Sequence, residues 1–83
     1  MFYKVKEVES MLDYTLLVDF VNGERKKYNI KPLFEKWIDF QSLKDIKGLY
    51  EQIHVDKGGY GISWNNHIDL SCNELYFNGD SSL

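Results

Sequence analysis

The chain has 83 residues, a formal net charge of −3 and one cysteine, Cys72. That length holds one domain at most, and a lone cysteine excludes an intramolecular disulfide, which fits a reducing compartment. The opening Met1-Phe2-Tyr3-Lys4-Val5-Lys6 alternates and is charged where a secretory leader needs an apolar run, and nothing approaches the roughly 20 apolar residues of a membrane span; a cytoplasmic protein without membrane contact is expected.

In chain order, Tyr3 to Glu9 alternates and predicts a first strand. Asp13 to Phe20 predicts a second, with Tyr14, Leu16, Val18 and Phe20 on one face because side chains alternate along a strand. Asn22-Gly23 is a strong hairpin signal and predicts a type I′ turn with positive φ at both residues. Glu24 to Ile30 returns, with Lys26, Tyr28 and Ile30 on one face. A three-stranded antiparallel meander results.

Lys31-Pro32 ends that meander, and Pro32 suits the first turn of a helix. Leu33, Phe34, Trp37 and Ile38 recur at helical spacing. A second helix is predicted from Ser42, read as its N-cap, with Leu43, Ile46, Leu49 and Tyr50 on one face and Gly48 weakening it. Ile53-His54-Val55 is a short strand. Gly58-Gly59-Tyr60-Gly61 is a turn that uses glycine's backbone freedom, and Gly61 to Trp64 completes a C-terminal hairpin. Asn65-Asn66 turns again, and Ile68-Asp69-Leu70 adds a brief strand. Ser71-Cys72-Asn73-Glu74 has capping-box spacing, in which Ser71 caps and Glu74 reaches back. Asn78-Gly79 stops this last helix. Residues 1–79 form a single domain on this reading and 80–83 a frayed tail. The predicted class is α+β: a mainly antiparallel sheet with two to three short helices packed on one face.

These residues also carry a family resemblance. Lys4 to Glu9, Asp13-Tyr14-Thr15-Leu16, Phe20 to Glu24, Lys31-Pro32-Leu33, Val55 to Asn65, Ile68 to Ser71 and Glu74-Leu75-Tyr76 resemble domain-of-unknown-function family 2442, small bacterial and phage-borne proteins. The resemblance spans residues 3–79. It implies a compact α+β fold and no assigned activity or catalytic residues. It also implies a genomic pairing with a second small protein, of domain-of-unknown-function family 4160, an arrangement like a toxin–antitoxin pair.

Charge limits the partners. Residues 1–31 carry six basic and five acidic side chains, and residues 32–83 four basic and eight acidic. The only dense basic run is Arg25-Lys26-Lys27, which reads as a charged strand edge that resists aggregation rather than a phosphate-binding footprint. No direct, specific nucleic-acid binding is expected. His54, Asp56, His67 and Asp69 could form a metal site only if their strands pair and all four converge; surface histidines are the simpler reading, with Asp69 answering the positive end of the last helix. Cys72 reads as an inert thiol, since no histidine is placed to activate it. The glycine loop lacks the Lys-Ser/Thr and the following helix that a phosphate cradle requires. No cofactor and no metal are expected.

Tyr60, Trp64, Tyr76 and Phe77 remain as an aromatic platform or as core, with Trp64 the better core residue and Tyr60 the better surface one. Glu74 and Asp80 are the acids beside them. The sequence thus predicts a non-enzymatic protein-interaction module, antitoxin-like and homodimeric. An inhibitor of a nucleic-acid enzyme, acting through its acidic C-terminal half, is the alternative. A small hydrolase is the third reading.

Overall fold

The fold, described for residues 1–81 of a computed structural model, is α+β: two three-stranded antiparallel sheets with short helices. The first sheet is the expected meander, β1 (Val5–Met11), β2 (Thr15–Phe20) and β3 (Arg25–Asn29), in that order. Leu16, Val18 and Phe20 on β2 and Tyr28 on β3 are buried, as the alternation requires. Lys26 sits on the same face but is only partly covered.

The two hairpin turns depart from expectation in a related way. Asn22-Gly23 is not a type I′ turn. Gly23 alone has positive φ there, +93°, and Asn22 does not. The Phe20 carbonyl accepts from the Gly23 N–H at 2.9 Å and the Phe20 N–H donates to the Glu24 carbonyl at 2.8 Å. That is the three-residue hairpin loop with glycine in the left-handed position. The Asn22 side chain closes it by accepting from the Glu24 N–H at 3.0 Å. Two consecutive positive φ values occur instead at Asp13 (63°) and Tyr14 (54°), between β1 and β2, where a strand was expected. Tyr14 is held there by ring edges against Phe34 and Tyr50, and its carbonyl accepts from the Ile30 N–H. Packing thus sustains a conformation that strains most residues carrying a Cβ.

The connecting segment forms shorter pieces than predicted. α1 spans Lys31–Lys36 with Pro32 in its first turn. It ends at Trp37, whose backbone is extended (φ −132°, ψ 122°), so Trp37 and Ile38 do not continue the helix. A 3-10 turn at Ile38–Gln41 leads into α2, only Ser42–Asp45. Ser42 is already helical and caps nothing; Ile46 is extended and exposed. Gly48 is in a left-handed turn (φ +85°), not inside a helix. Leu43, Leu49 and Tyr50 still reach the core.

The second sheet orders β4 (His54–Val55), β5 (Gly61–Asn65) and β6 (Ile68–Ser71), so the brief strand read at Ile68-Asp69-Leu70 pairs with the predicted hairpin as its third strand. The loop Lys57–Gly59 lies against β1: a Cβ on Gly59, where φ is +80°, would stand 2.6 Å from the Val5 carbonyl oxygen. Gly58 also has positive φ. Gly61 has not; its lack of a side chain admits the Leu70 carbonyl of β6, 2.6 Å from where a Cβ would sit. α3 (Cys72–Asn78) is capped by Ser71, whose hydroxyl accepts from the Glu74 N–H at 3.1 Å. The second half of the capping box is missing, because Glu74 accepts from the Tyr28 hydroxyl at 2.7 Å instead.

Both sheets, the connecting segment and α3 share one apolar cluster, with Phe20, Leu16, Ile30, Ile62, Ile68 and Leu75 fully enclosed. Asp80, expected in a frayed tail, exchanges two backbone hydrogen bonds with Lys27 and so extends the covered edge of β3. Ser82 and Leu83, the rest of that expected tail, lie outside the described residues. No helix among the described residues is long and apolar enough to cross a membrane.

Candidate functional site

The chemistry-bearing side chains gather on the outer face of the second sheet. Pairing sets His54 of β4 opposite Ser63 of β5, and Ser63 opposite Asp69 of β6. The opposite face carries Val55, Ile62 and Leu70 in the core row. Asp56, just after β4, accepts from the Ser63 hydroxyl at 2.7 Å, and the His54 Nε2 stands 4.0 Å from the same carboxylate oxygen. Here the serine donates directly to the carboxylate and the imidazole only grazes it. A nucleophile–base–orienter chain needs the imidazole between the two. His67 lies in the β5–β6 turn, where the Asn65 side chain accepts from its N–H at 2.8 Å. The four residues weighed as a metal site do not converge: among the described residues no three His, Cys, Asp or Glu side chains are placed to hold an ion.

Asp69 stands within β6, the brief strand expected there, and the side-chain cap of α3 is Ser71, so Asp69 is not the residue that answers the helix end. Cys72 is buried in the first turn of α3, with its Sγ 3.7 Å from the Asn73 side-chain oxygen.

The aromatic residues fall into a core member and two surface groups. Trp64 is core, 3% exposed, and its indole N–H donates to the Tyr50 carbonyl at 2.9 Å. It is therefore withdrawn from the interaction surface. The surface groups flank the segment Met1 to Lys4, which Asn73 of α3 holds by its side chain. The Asn73 carbonyl oxygen accepts from the Tyr3 N–H at 3.0 Å, and its NH₂ donates to the Met1 carbonyl at 2.9 Å. On one side, Phe2 meets the Tyr60 ring edge-on at 5.2 Å, and the Lys4 ammonium lies 5.0 Å from that ring. On the other, Tyr3 stacks on Tyr76 at 3.7 Å, with Phe77 edge-on to both.

Tyr76 is fixed from three directions. Phe20 meets it edge-on, the Lys26 ammonium sits 3.9 Å from its ring centre, and its hydroxyl donates to Glu24. The Tyr76 hydroxyl holds the Glu24 carboxyl below its ordinary pKa, with Asn22 contributing, and the same bond raises the pKa of Tyr76. Burial first, then the bond to Glu74, pushes the Tyr28 phenol upward. So Glu24 and Glu74 both serve as acceptors for tyrosine hydroxyls. Phe2 (64%), Tyr60 (49%) and Phe77 (65%) remain substantially exposed, although each has a ring partner. Tyr60 was legible from its place in a turn. Phe2 was missed, because the strand alternation begins only after it, and the Asn73 bonds that order it are 70 or more residues distant in sequence.

No curated protein and no solved structure matches the chain. A family described as "Protein of unknown function (DUF2442)" matches residues 5–81, from the first residue of β1 to one residue beyond the Asp80 bridge, and the chain belongs to that family.

Proposed function

We propose that the protein is a non-enzymatic interaction module that docks another protein through the aromatic face around residues 1–4. The observation that carries this is the set of exposed rings, Phe2, Tyr60 and Phe77, each braced by a second ring. Aromatic side chains are enriched among the residues that dominate interface energies. Bracing lowers the ordering cost on association, since less motion is lost. Lys4 and Lys26 lie beside Tyr60 and Tyr76 and suit a partner with carboxylates at the rim of an apolar patch. The antitoxin-like reading places that partner in the adjacent gene.

The test is affinity capture with the full chain from cells that express the neighbouring protein. Phe2→Ser with Tyr60→Ser and Phe77→Ser should abolish capture while circular dichroism stays unchanged. His54→Ala with His67→Ala should leave capture intact. Retention by the triple variant, or loss in the double one, would contradict the proposal. Recovery of a nucleic-acid enzyme instead of the neighbouring protein would keep the surface and favour the inhibitor reading.

A further inference from the structure

A second surface, on residues the aromatic face does not use, has its own chemistry. The extended backbone at Trp37 separates α1 from the following 3-10 turn, and a groove of about 410 Å³ lies there against the β5–β6 turn. Trp37 (43% exposed) and Ile38 (81%) form its apolar wall. Asp39 comes from the 3-10 turn and Asp69 from β6, so the two carboxylates belong to separate elements lining one groove. Among the described residues neither carboxylate has a hydrogen bond or an ion pair. The Asn65 side chain braces the β5–β6 turn by accepting from both the His67 and Ile68 N–H groups, at 2.8 and 3.0 Å. The lysine of the lining, Lys36, is engaged over the Trp37 ring at 4.7 Å.

We infer that this groove docks a partner-protein segment that presents an arginine beside an aliphatic residue. Asp39 and Asp69 against the one lysine of the lining, Lys36, give an excess of carboxylate. A simple cation would satisfy the charge but leave Trp37 and Ile38 in water. A guanidinium does both jobs, since its planar fork reaches carboxylates and its face stacks on indole. The neighbouring aliphatic side chain then covers Ile38. The occupant is protein rather than nucleic acid, because phosphates would meet Asp39 and Asp69 with like charge. This inference does not depend on the aromatic face being an interface.

The experiment titrates the ¹⁵N-labelled full chain with the amidated, acetylated peptide Ala-Leu-Arg-Leu-Ala, and with the same peptide carrying Glu in place of Arg. The arginine peptide should give saturable shifts at the Trp37 indole and at the amides of Ile38, Asp39, His67 and Asp69. The glutamate peptide should give none there. Asp39→Asn with Asp69→Asn, both at exposed positions, should weaken the arginine peptide by about threefold or more, the scale of two rim charge pairs. Equal shifts from both peptides, shifts centred on Phe2 and Tyr60, an unaffected double variant, or no shifts at about 5 mM peptide, where even millimolar affinity would show, would each overturn it.

Discussion

The N-terminal meander and the segment that joins it to the second sheet hold their shape by different means. In residues 5–29 local alternation and the β-ladder do the work: β2 buries every second residue between two neighbours in register. In residues 31–60 no α-helix exceeds the six residues of α1 and β4 has two, so little comes from local cooperativity. That segment is held by side chains reaching distant backbone. Tyr50 donates its hydroxyl to the Met11 carbonyl at 2.7 Å and stands 2.9 Å from that of Thr15, while its own carbonyl accepts from Trp64. The lesson is that a strand pattern can be read residue by residue, whereas an irregular connector is specified by partners elsewhere in the chain.

The most disruptive way to break this comparison is Trp64→Ala. It removes a buried ring and leaves the Tyr50 carbonyl unsatisfied, so the loss should be about 3–5 kcal/mol, the range for large aromatic truncations. The connector should lose amide protection before the meander does, as hydrogen exchange would record. Simultaneous loss in both regions would show that they are one cooperative unit.

Gly23→Val addresses the meander alone. Positive φ at Gly23 is strained for a β-branched residue, although open space surrounds its missing Cβ. A loss of roughly 1–3 kcal/mol is expected from backbone strain, read from the urea midpoint. An unchanged midpoint would mean that the loop relaxes without disturbing the ladder.

Alkaline pH sharpens the contrast from the connector's side. Burial, the largest cause, raises the Tyr50 phenol from 10 to about 12. The folded form therefore resists ionisation that the unfolded chain undergoes freely. Stability from this group is complete below pH 10 and is lost as pH rises toward 12, by about 1–2 kcal/mol after solvent screening. Tyr28 acts in the same direction. Tyr50→Phe should flatten the part of the slope between pH 10 and 12, and an unchanged slope would remove Tyr50 from the account.

The smallest effect belongs to Asp19, which meets Arg25 across the β2–β3 pair through two bonds of 2.6 and 3.3 Å. The Arg25 hydrogen bond lowers the Asp19 pKa, so its contribution is present above the ordinary value of 3.8 and fades as pH falls. Asp19→Asn should cost less than any change above, and salt should erase the difference, because exposed pairs are screened.

Much of this was legible in advance and some was not, for identifiable reasons. The faces of β2 and β3 and the Ser71 cap follow from spacing alone. The left-handed pair at Asp13 and Tyr14 does not, because nothing local marks it; the Phe34 and Tyr50 rings that support it are distant in sequence. Helical spacing at Leu33, Phe34, Trp37 and Ile38 misled, since Trp37 turns outward at the break and only Leu33 of the four is buried. In the candidate site, Tyr60 is exposed and Trp64 is buried, the places that the turn and the alternation with Ile62 favoured, and the bond from Trp64 to the Tyr50 carbonyl was not legible. Trp37 and Ile38 gained their place at the groove only through the break that the pattern concealed.

The docking role of the aromatic face is tested most directly by placing a photo-cross-linking phenylalanine analogue at Phe2, Tyr60 or Phe77 in turn and irradiating living cells. A fourth protein carries it at exposed Glu35 as the reference. Each of the three positions should give one discrete adduct of the same partner, absent from the Glu35 protein. A diffuse ladder indistinguishable from that of Glu35 would contradict the account.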